Sequence, residues 1–336
     1  MKNYKLGFPC KVLLGSEKED SEFNFKTTTV KAVSNKNTKD KKVFLENLCF
    51  SNIKKLQKQL LFVSQQDSRL HMFRIGSELL PIFSHEVTSD VYSDNGFINE
   101  ISHELKQIGD FAVKNNLRLS FHPGQFTVLG SASENTVLNS IKELEYHAKI
   151  FDWMGYSGWH PNGLAINIHA GSKNVGLDVL IKNIKRCSTS VQNYLTIEND
   201  EFSYSIEELE PIVSTVALVL DVHHEWINKE KHFDPKSIYV TTIKDSWRGV
   251  RPKIHYSVSK EEHIGEVVLS NVLPEINFLL KNGFKKTVLR EHSNDYWNTS
   301  VNDYVIDFLN DFDVMCEAKN KNIASEKFLN YIDNNQ

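Results

Sequence analysis

The feature that most constrains this chain is the alternation of short, apolar, β-branched runs with longer segments of helical periodicity. Such alternation is typical of βα units around a parallel sheet. Eight runs are predicted as strands, at residues 5–14, 70–76, 118–121, 164–169, 194–198, 216–221, 253–258 and 313–317. Helices are predicted at about 42–65, 96–116, 137–154, 177–188, 205–213 and 265–280. Eight strands with intervening helices favour an α/β fold of the (β/α)8, or TIM, barrel type over an open sheet.

The 336 residues are enough for one barrel with inserted loops, which we expect over residues 1–320, followed by a helical C-terminal tail at 321–336. Two regions fit the alternation poorly. Residues 16–42 are polar and lysine-rich without periodicity, so an irregular loop is predicted there. Residues 271–312 exceed one helix and include a strand-like run at 287–290, so an insertion is predicted before the last strand.

Composition excludes several other classes of protein. The longest largely apolar stretch, 212–220, is too short to span a membrane, and lysines interrupt the apolar N-terminus where a secretory signal would need a continuous run. We therefore expect an intracellular protein, cytoplasmic or nuclear. Four scattered cysteines without a CxxC pair argue against a disulfide framework and a structural zinc site. The net charge of −4 gives no sign of a nucleic-acid partner.

Six consecutive predicted strands end in histidine or carboxylate residues. These residues are His122, His169, Glu198, Asp221 with His223 and His224, His255, and Glu317. In a barrel the C-terminal strand ends meet at one mouth, and His and carboxylate groups are ligands for divalent ions. Three carboxylates at one mouth also need cations to offset their repulsion. The pattern predicts a site with two or three divalent ions that attracts an anionic phosphodiester.

Six blocks, in order, resemble the UV-damage endonuclease family. They are Leu6-Gly7-Phe8-Pro9-Cys10, Phe73-Arg74-Ile75-Gly76 with Leu80-Pro81 and Ser84-His85, Leu119 to Phe126 (LSFHPGQF), Ile197-Glu198-Asn199-Asp200, Ser246-Trp247-Arg248-Gly249 with Pro252 to His255, and Met315 to Lys319 (MCEAK). The resemblance implies a barrel related to endonuclease IV and xylose isomerase. It further implies a nick in duplex DNA immediately 5′ to cyclobutane pyrimidine dimers and 6-4 photoproducts, leaving a 3′-hydroxyl and a 5′-phosphate. We expect a monomer without an obligatory protein partner.

Ligands are carried over from the family residue by residue. They fall on His122, His169, Glu198, Asp221, His224, His255, His263 and Glu317. His263 follows His255 at a shorter spacing than the family shows, and His224 is chosen over His223 because neighbours on a strand point opposite ways. The resemblance implies manganese first, with zinc, magnesium or cobalt as alternatives.

Three residues are assigned to catalysis on the same basis. Glu198 would bridge two ions in metal-assisted hydrolysis, and His85 would bind the scissile phosphate or a water molecule. Lys253 matches a lysine that is carbamylated in the family; an unmodified lysine paired with a carboxylate is the alternative.

Lesion recognition is assigned to Gln125 and Phe126, which would probe the bases opposite the lesion. The family commonly has tyrosine at the second of these positions and at Phe8, so the lesion preference stays open. Further DNA contacts are expected from Phe8, Arg74, Trp247 and Arg248.

Three other functions remain open from the sequence. An abasic-site endonuclease of the endonuclease IV type would use nearly the same ligands, and a xylose-isomerase-like enzyme would share the barrel and its ions. A damage-binding protein with a decayed site is the alternative without catalysis, although the complete ligand set counts against it.

Overall fold

A computed structural model of the protein describes residues 3–335, so residues 1, 2 and 336 at the ends of the predicted domain and tail lie outside the described residues. Eight parallel strands close into a barrel in chain order, and β8 pairs with β1. The strands are β1 (Leu6–Pro9), β2 (Met72–Arg74), β3 (Arg118–Phe121), β4 (Ala165–His169), β5 (Leu195–Glu198), β6 (Ala217–Asp221), β7 (Lys253–Tyr256) and β8 (Asp313–Cys316). The predicted (β/α)8 barrel is therefore confirmed.

Helices surround the barrel. The α-helices are α1 (Glu17–Phe23), α2 (Val30–Ser34), α3 (Thr38–Ser64), α4 (Ser89–Tyr92), α5 (Asn95–Lys114), α6 (Glu134–Trp153), α7 (Leu177–Ile184), α8 (Thr189–Tyr194), α9 (Val222–Lys229), α10 (Ile238–Ser246), α11 (Glu261–Ile264), α12 (Ile276–Lys281), α13 (Lys286–Leu289), α14 (Thr299–Ile306) and α15 (Lys321–Asn335). Short 3₁₀ helices occur at Ser68–Leu70, Glu86–Thr88, Pro161–Gly163, Glu207–Ile212 and Asp307–Asn310. No helix among the described residues is both long enough and apolar enough to cross a membrane.

The predicted loop at 16–42 is wrong, because the segment contains α1, α2 and the start of α3. Ser16 caps α1: its Oγ accepts a hydrogen bond from the Glu19 backbone N–H and donates one to the Glu19 carboxylate. Ser16 is therefore an N-cap, which satisfies one of the free backbone N–H groups at the start of this short helix. Asn37 caps α3 in a similar way, so that helix begins before the predicted residue 42.

Two predictions between β7 and β8 are also wrong. The helix predicted at 265–280 is broken, since α11 ends at Ile264 and α12 begins at Ile276. Pro274 cannot continue a helix that precedes it, because its ring clashes with the turn before it. The strand-like run at 287–290 is helical, in α13, where Leu289 is buried against a satellite cluster that includes Trp226. Tertiary packing overrides β-propensity there.

The helix predicted at the C-terminus is observed as α15. It packs against β1 and β8, and its buried residues include Phe328 and Ile332. Ser325 Oγ also donates a hydrogen bond to the Gly7 carbonyl of β1. Helix α15 therefore belongs to the outer ring of the barrel.

An ion pair crosses the barrel at the N-terminal ends of the strands. Arg118 on β3 donates from Nη1 to Asp313 Oδ2 on β8 at 2.7 Å, although these strands are not neighbours. Asp313 Oδ1 also accepts from the Lys5 backbone N–H and from Arg251 Nε. Arg118 Nε donates to the carbonyl of Gly163, where any side chain would begin 2.6 Å from that nitrogen. Glycine at 163 is what allows this close approach.

Replacing Asp313 with asparagine should lower the free energy of unfolding by about 3–5 kcal/mol, because Arg118 would stay buried without its counter-charge. Chemical denaturation monitored by circular dichroism measures this loss. Asp311→Asn is the matched control: its partner Lys244 is half-exposed, so the cost should be about 1 kcal/mol or less. Equal losses in the two variants would contradict the assigned role of Asp313.

Candidate metal centre

The strand ends bring histidines and carboxylates together at the mouth of the barrel. Three groups of possible ligands form, each with ligand atoms within 4.8 Å of one another. They are His122 with His169 and Glu198, Glu198 with Asp221 and His224, and Asp221 with His255 and Glu317. Glu198 belongs to the first two groups and Asp221 to the last two. The cluster is therefore one continuous set of ligands with two shared carboxylates.

Glu198 is the centre of this set. Its Oε1 lies 3.0 Å from His255 Nδ1 and 3.6 Å from His224 Nδ1, and its Oε2 lies 3.3 Å from His122 Nε2. Asp221 Oδ2 lies 3.7 Å from His224 Nδ1. The three imidazoles near Glu198 surround a carboxylate that is buried at the end of β5.

Two asparagines support the residues that carry the shared carboxylates: Asn167 contacts the Glu198 carboxylate directly, and Asn199 contacts the backbone of Asp221. Asn167 Nδ2 donates to Glu198 Oε2, while Thr196 Oγ1 donates to Asn167 Oδ1 at 2.7 Å. Asn199 Oδ1 accepts from the Asp221 backbone N–H at 2.8 Å, and its Nδ2 donates to the Asp221 carbonyl. Such outer contacts fix the orientation of ligands before an ion binds.

The electrostatics of the cluster show how strongly it favours added positive charge. Burial, together with the charges of Glu198 and Glu317, raises the pKa of Asp221 to about 8. Burial lowers the pKa of His224, but the carboxylates, Asp221 foremost, outweigh it and raise the pKa to about 9. Burial lowers the pKa of His255 to about 4. Without added cations, the protein thus leaves the Asp221 carboxyl mostly protonated at neutral pH.

Unpaired polar atoms test whether ions fit this set. Asp221 Oδ2 and His169 Nδ1 are buried and have no hydrogen-bond partner among residues 3–335. Buried polar atoms are nearly always paired, so unpaired acceptors inside a histidine and carboxylate cluster fit metal coordination. The donor set, imidazole with carboxylate, suits manganese and zinc.

The structure brings seven of the eight expected ligands together, with His224 rather than His223 in the cluster. The His223 ring turns away, and its Nε2 lies 3.0 Å from the Leu289 carbonyl. His263 is not brought to the cluster. It lies in α11, with its Nε2 3.4 Å from Glu291 at the surface.

Sequence reasoning missed two residues at the mouth. His292 is largely buried beside the cluster, and its Nδ1 lies 3.2 Å from the Glu317 carbonyl oxygen. It follows α13 in the segment between β7 and β8. In the sequence, the feature that could have indicated His292 is a histidine at the start of the polar run HSNDY. Glu201 lies just beyond the β5 motif, and its Oε2 is 3.8 Å from His224 Nε2.

Lys253 lies inside the barrel, two residues before His255 on β7. Its Nζ is buried and has no hydrogen-bond or ion-pair partner among the described residues. Burial, reinforced by the positive charges of Arg74 and Arg118, lowers the pKa of Lys253 well below its usual value. A lowered pKa favours the neutral form of this amine.

Two residues expected to contact DNA lie in or under the cluster instead. Arg74, at the end of β2, is 8% exposed; its Nη2 donates to Glu317 and lies 3.4 Å from His255 Nε2. Phe8 is 1% exposed and packs edge-on against Phe73. Direct contact of Phe8 with DNA was a wrong expectation, because its ring is buried by neighbours at the strand ends, whereas contact of Arg74 with DNA stays a prediction.

Trp247 and Arg248 lie at the end of the barrel opposite the mouth, so the expectation that they contact DNA bound at the mouth was wrong. The Trp247 side chain is fully buried, and its Nε1 donates to the Leu218 carbonyl near the start of β6. Arg248 lies over the Trp159 ring and donates to the Ser214 carbonyl. Both follow a helix and precede β7, and such αβ loops lie opposite the mouth.

Gln125 and Phe126 are exposed beside the cluster. They form the tip of a turn after His122, closed by a hydrogen bond from the Thr127 backbone N–H to the Gly124 carbonyl. Phe126 is 84% exposed, so it is not a core ring. His85 is also exposed and lines the same open cleft, of about 620 Å³, as Phe126. Its Nδ1 accepts from the Val87 backbone N–H, and it lies in none of the three ligand groups.

Several known proteins are similar to this chain. The UV DNA damage endonuclease of Clostridium perfringens is 30% identical over 56% of this chain and 46% of its own length. That of Nostoc is 33% identical over 61% and 62%, and the UV-damage endonuclease of Schizosaccharomyces pombe is 33% identical over 57% and 33%. The match thus spans less than two thirds of each of these relatives.

Two solved structures share the fold. The crystal structure of SacUVDE superposes with a TM-score of 0.74 over 99% of both chains at 24% identity. The structure of endonuclease IV from Thermus thermophilus gives a TM-score of 0.52 at 12% identity, over 98% of this chain and 99% of that one. The family profile described as UV-endonuclease UvdE matches residues 4–334. Because that match covers nearly the whole chain, this chain belongs to the UV-endonuclease UvdE family.

Proposed function

We propose that this protein is a metal-dependent endonuclease that nicks duplex DNA immediately 5′ to cyclobutane pyrimidine dimers and 6-4 photoproducts. The products are a 3′-hydroxyl and a 5′-phosphate. Family membership supports this activity. The observation that carries it is the placement of three overlapping ligand groups beside the exposed Gln125–Phe126 turn.

Two or three divalent ions would be held by the seven clustered ligands, with manganese first and zinc, magnesium or cobalt as alternatives. When bound, such ions stabilise charge on the phosphoryl and leaving oxygens and lower the pKa of a water molecule. All of these ligands come from one chain, so a monomer is sufficient for the site.

The chain's own residues orient this set. Asn167 donates to the Glu198 carboxylate, and Asn199 fixes the backbone of Asp221. Arg74 pairs with Glu317, and this pairing with a cation outweighs burial and lowers the pKa of that carboxyl, so it stays ionised. His85, exposed in the cleft near Phe126, is placed to contact a phosphate of the bound strand.

Positive charge for DNA backbone contacts is available at the mouth itself. Lys319 and Lys321 follow Glu317 closely, and Lys260 follows β7 and pairs with Glu291. Lys321 is close enough to Glu317 and Arg74 that their charges act on it. We assign the DNA backbone contacts expected from Trp247 and Arg248 to these lysines instead. A protein with a net negative charge would thus still present cations where a phosphodiester would bind.

The direct test is incubation of the purified protein with an ultraviolet-irradiated duplex in manganese, with and without a chelator. Mapping of the cut on a sequencing gel gives the position and the end groups. We expect one nick immediately 5′ to the lesion, and none in the chelated sample or in the unirradiated duplex. A matched abasic duplex tests the alternative: nicking of that duplex alone would favour an abasic-site endonuclease.

Glu198→Gln should abolish most of the nicking, because Glu198 is shared by two ligand groups. We expect the rate to fall by more than the roughly 10- to 100-fold typical of losing an outer contact to a ligand. Initial nicking rates and manganese titration by calorimetry check this. Glu208→Gln, at a half-exposed ion pair with Lys173, is the control and should keep its activity. Wild-type nicking by Glu198→Gln with full metal content would exclude the bridging role.

Phe126→Ala should weaken binding to a lesion-containing duplex by about 5- to 150-fold, because stacking of a base on an aromatic ring contributes about 1–3 kcal/mol. Binding to an undamaged duplex should change less. Fluorescence anisotropy measures both affinities. Phe126→Tyr keeps the stacking face and should retain the wild-type preference. Identical discrimination by Phe126→Ala and the wild type would remove this residue from lesion recognition.

Carbamylation of Lys253 is the third element of the proposal. A buried, unpaired amine with a lowered pKa loses its proton more readily, and the neutral amine is the form that adds to carbon dioxide, giving a carbamate and releasing a proton. The carbamate would bring an anionic oxygen toward the ligands, since Lys253 and His255 share one face of β7.

Protein equilibrated with ¹³C-bicarbonate should show a carbamate carbon signal by NMR, and Lys253→Met should lose that signal while keeping the fold. Lys244→Met, at an exposed ion pair with Asp311, should keep the signal. If the wild-type spectrum lacked this signal, or if Lys253→Met kept it, the result would show that Lys253 is not carbamylated.

A further inference from the structure

The loop after β5 carries an exposed aromatic side chain that the proposed recognition turn does not account for. Phe202 is 53% exposed and follows Glu201, whose carboxylate faces the metal ligand His224 at 3.8 Å. The ring is therefore one residue away from a direct neighbour of the cluster. Loops that follow strands lie on the mouth side of a barrel, the side that would face DNA.

Hydrogen bonds hold the backbone of this loop, so the place of Phe202 beside the cluster is set before any ligand arrives. Asp200 Oδ1 accepts from the backbone N–H of Phe202 at 2.8 Å and from that of Ser203. Asn228 Nδ2 donates to the carbonyls of Asp200 and Ser203, at 2.8 and 3.1 Å. Ser203 Oγ donates to the Gly171 carbonyl in the loop after β4. An aromatic residue on an ordered loop loses less conformational entropy on binding than one on a loop that must first become ordered.

Arg290 completes the arrangement. Its guanidinium lies over the Phe202 ring, 5.5 Å from the centroid, and its Nη1 lies 2.7 Å from Glu201 Oε1. The Arg290 side chain is 47% exposed, so it remains available to solvent on its outer side. An aromatic ring next to a guanidinium is a combination that stacks on a nucleobase and contacts the adjoining phosphate.

We propose that Phe202 is a second stacking residue for DNA, distinct from the Gln125–Phe126 turn, and that Arg290 supports it. The inference rests on the proposed endonuclease function. The occupant is a nucleotide, because the exposed ring lies against a guanidinium and next to Glu201, which faces metal ligand His224. A phosphodiester bound at His224 would bring its neighbouring nucleotides to this loop.

The test is Phe202→Ala in the full-length protein with bound manganese. We expect the dissociation constant for a lesion-containing duplex, measured by anisotropy, to rise about 5- to 150-fold. KM for nicking should rise with it, while kcat at saturating DNA and the manganese affinity stay near the wild-type values. Phe202→Trp keeps a stacking face and should restore the binding. Phe278→Ala is the matched control, since Phe278 is 49% exposed but lies on α12.

Three results would overturn the inference. Unchanged DNA affinity in Phe202→Ala would show that no nucleotide stacks on this ring. A fall in kcat with unchanged KM, or a loss of manganese affinity, would assign the loop to positioning of His224 instead. Equal weakening in Phe278→Ala would mean that any exposed ring has the same effect. These results differ from failure of the proposed function, in which the wild-type protein itself would neither bind nor nick irradiated DNA.

Discussion

Three buried carboxylates at one end of a barrel are the constraint on which this structure depends. Glu198, Asp221 and Glu317 lie at the ends of three different strands, and burial alone would drive their pKa values up. Nearby histidines and Arg74 outweigh burial for Glu198 and Glu317 but not for Asp221. The protein alone therefore cannot ionise all three groups at neutral pH, and divalent cations would complete the balance. Asn167 donates to the Glu198 carboxylate, and the backbone N–H groups of His223 and His224 donate to Asp221 Oδ1, so the protein itself orients both shared carboxylates.

The two ends of the barrel solve the problem of buried charge in different ways. At the floor, Arg118 and Asp313 neutralise each other inside the protein, and Asp313 accepts two further hydrogen bonds. Within the metal-ligand cluster at the mouth, the three carboxylates have only one paired arginine, Arg74, among the described residues. Lys253 lies between the two ends and is paired with neither among the described residues. This division matches the general behaviour of such barrels, in which the N-terminal ends of the strands serve stability and the C-terminal ends serve chemistry.

Strand positions could be predicted from the sequence because parallel strands are buried on both faces and read as short apolar runs. Six of the seven ligands lie at or next to strand ends and could be predicted for the same reason: once a strand is placed, its end is placed at the mouth. His224 differs, since it lies in the first turn of α9. Residues far from strand ends could not be placed in this way. His292 reaches the cluster from the segment after α13, and His263, although nearer in sequence to β7, does not. Trp247 was misassigned although it precedes the predicted strand at 253–258, because the motif was given more weight than the rule that helix-to-strand loops lie opposite the mouth.

Exposure separates the aromatic residues that the sequence motifs group together. Phe8 is buried against Phe73, so replacing the family's tyrosine at this position alters packing beneath the mouth and leaves the DNA-facing surface unchanged. Phe126 projects from its turn into solvent, where phenylalanine offers a stacking face without a hydroxyl. A ring without hydrogen-bonding groups responds to the shape and stacking of a base and not to its identity. Under the proposed function, recognition through such a ring would detect a disturbed stack of bases and not one particular base.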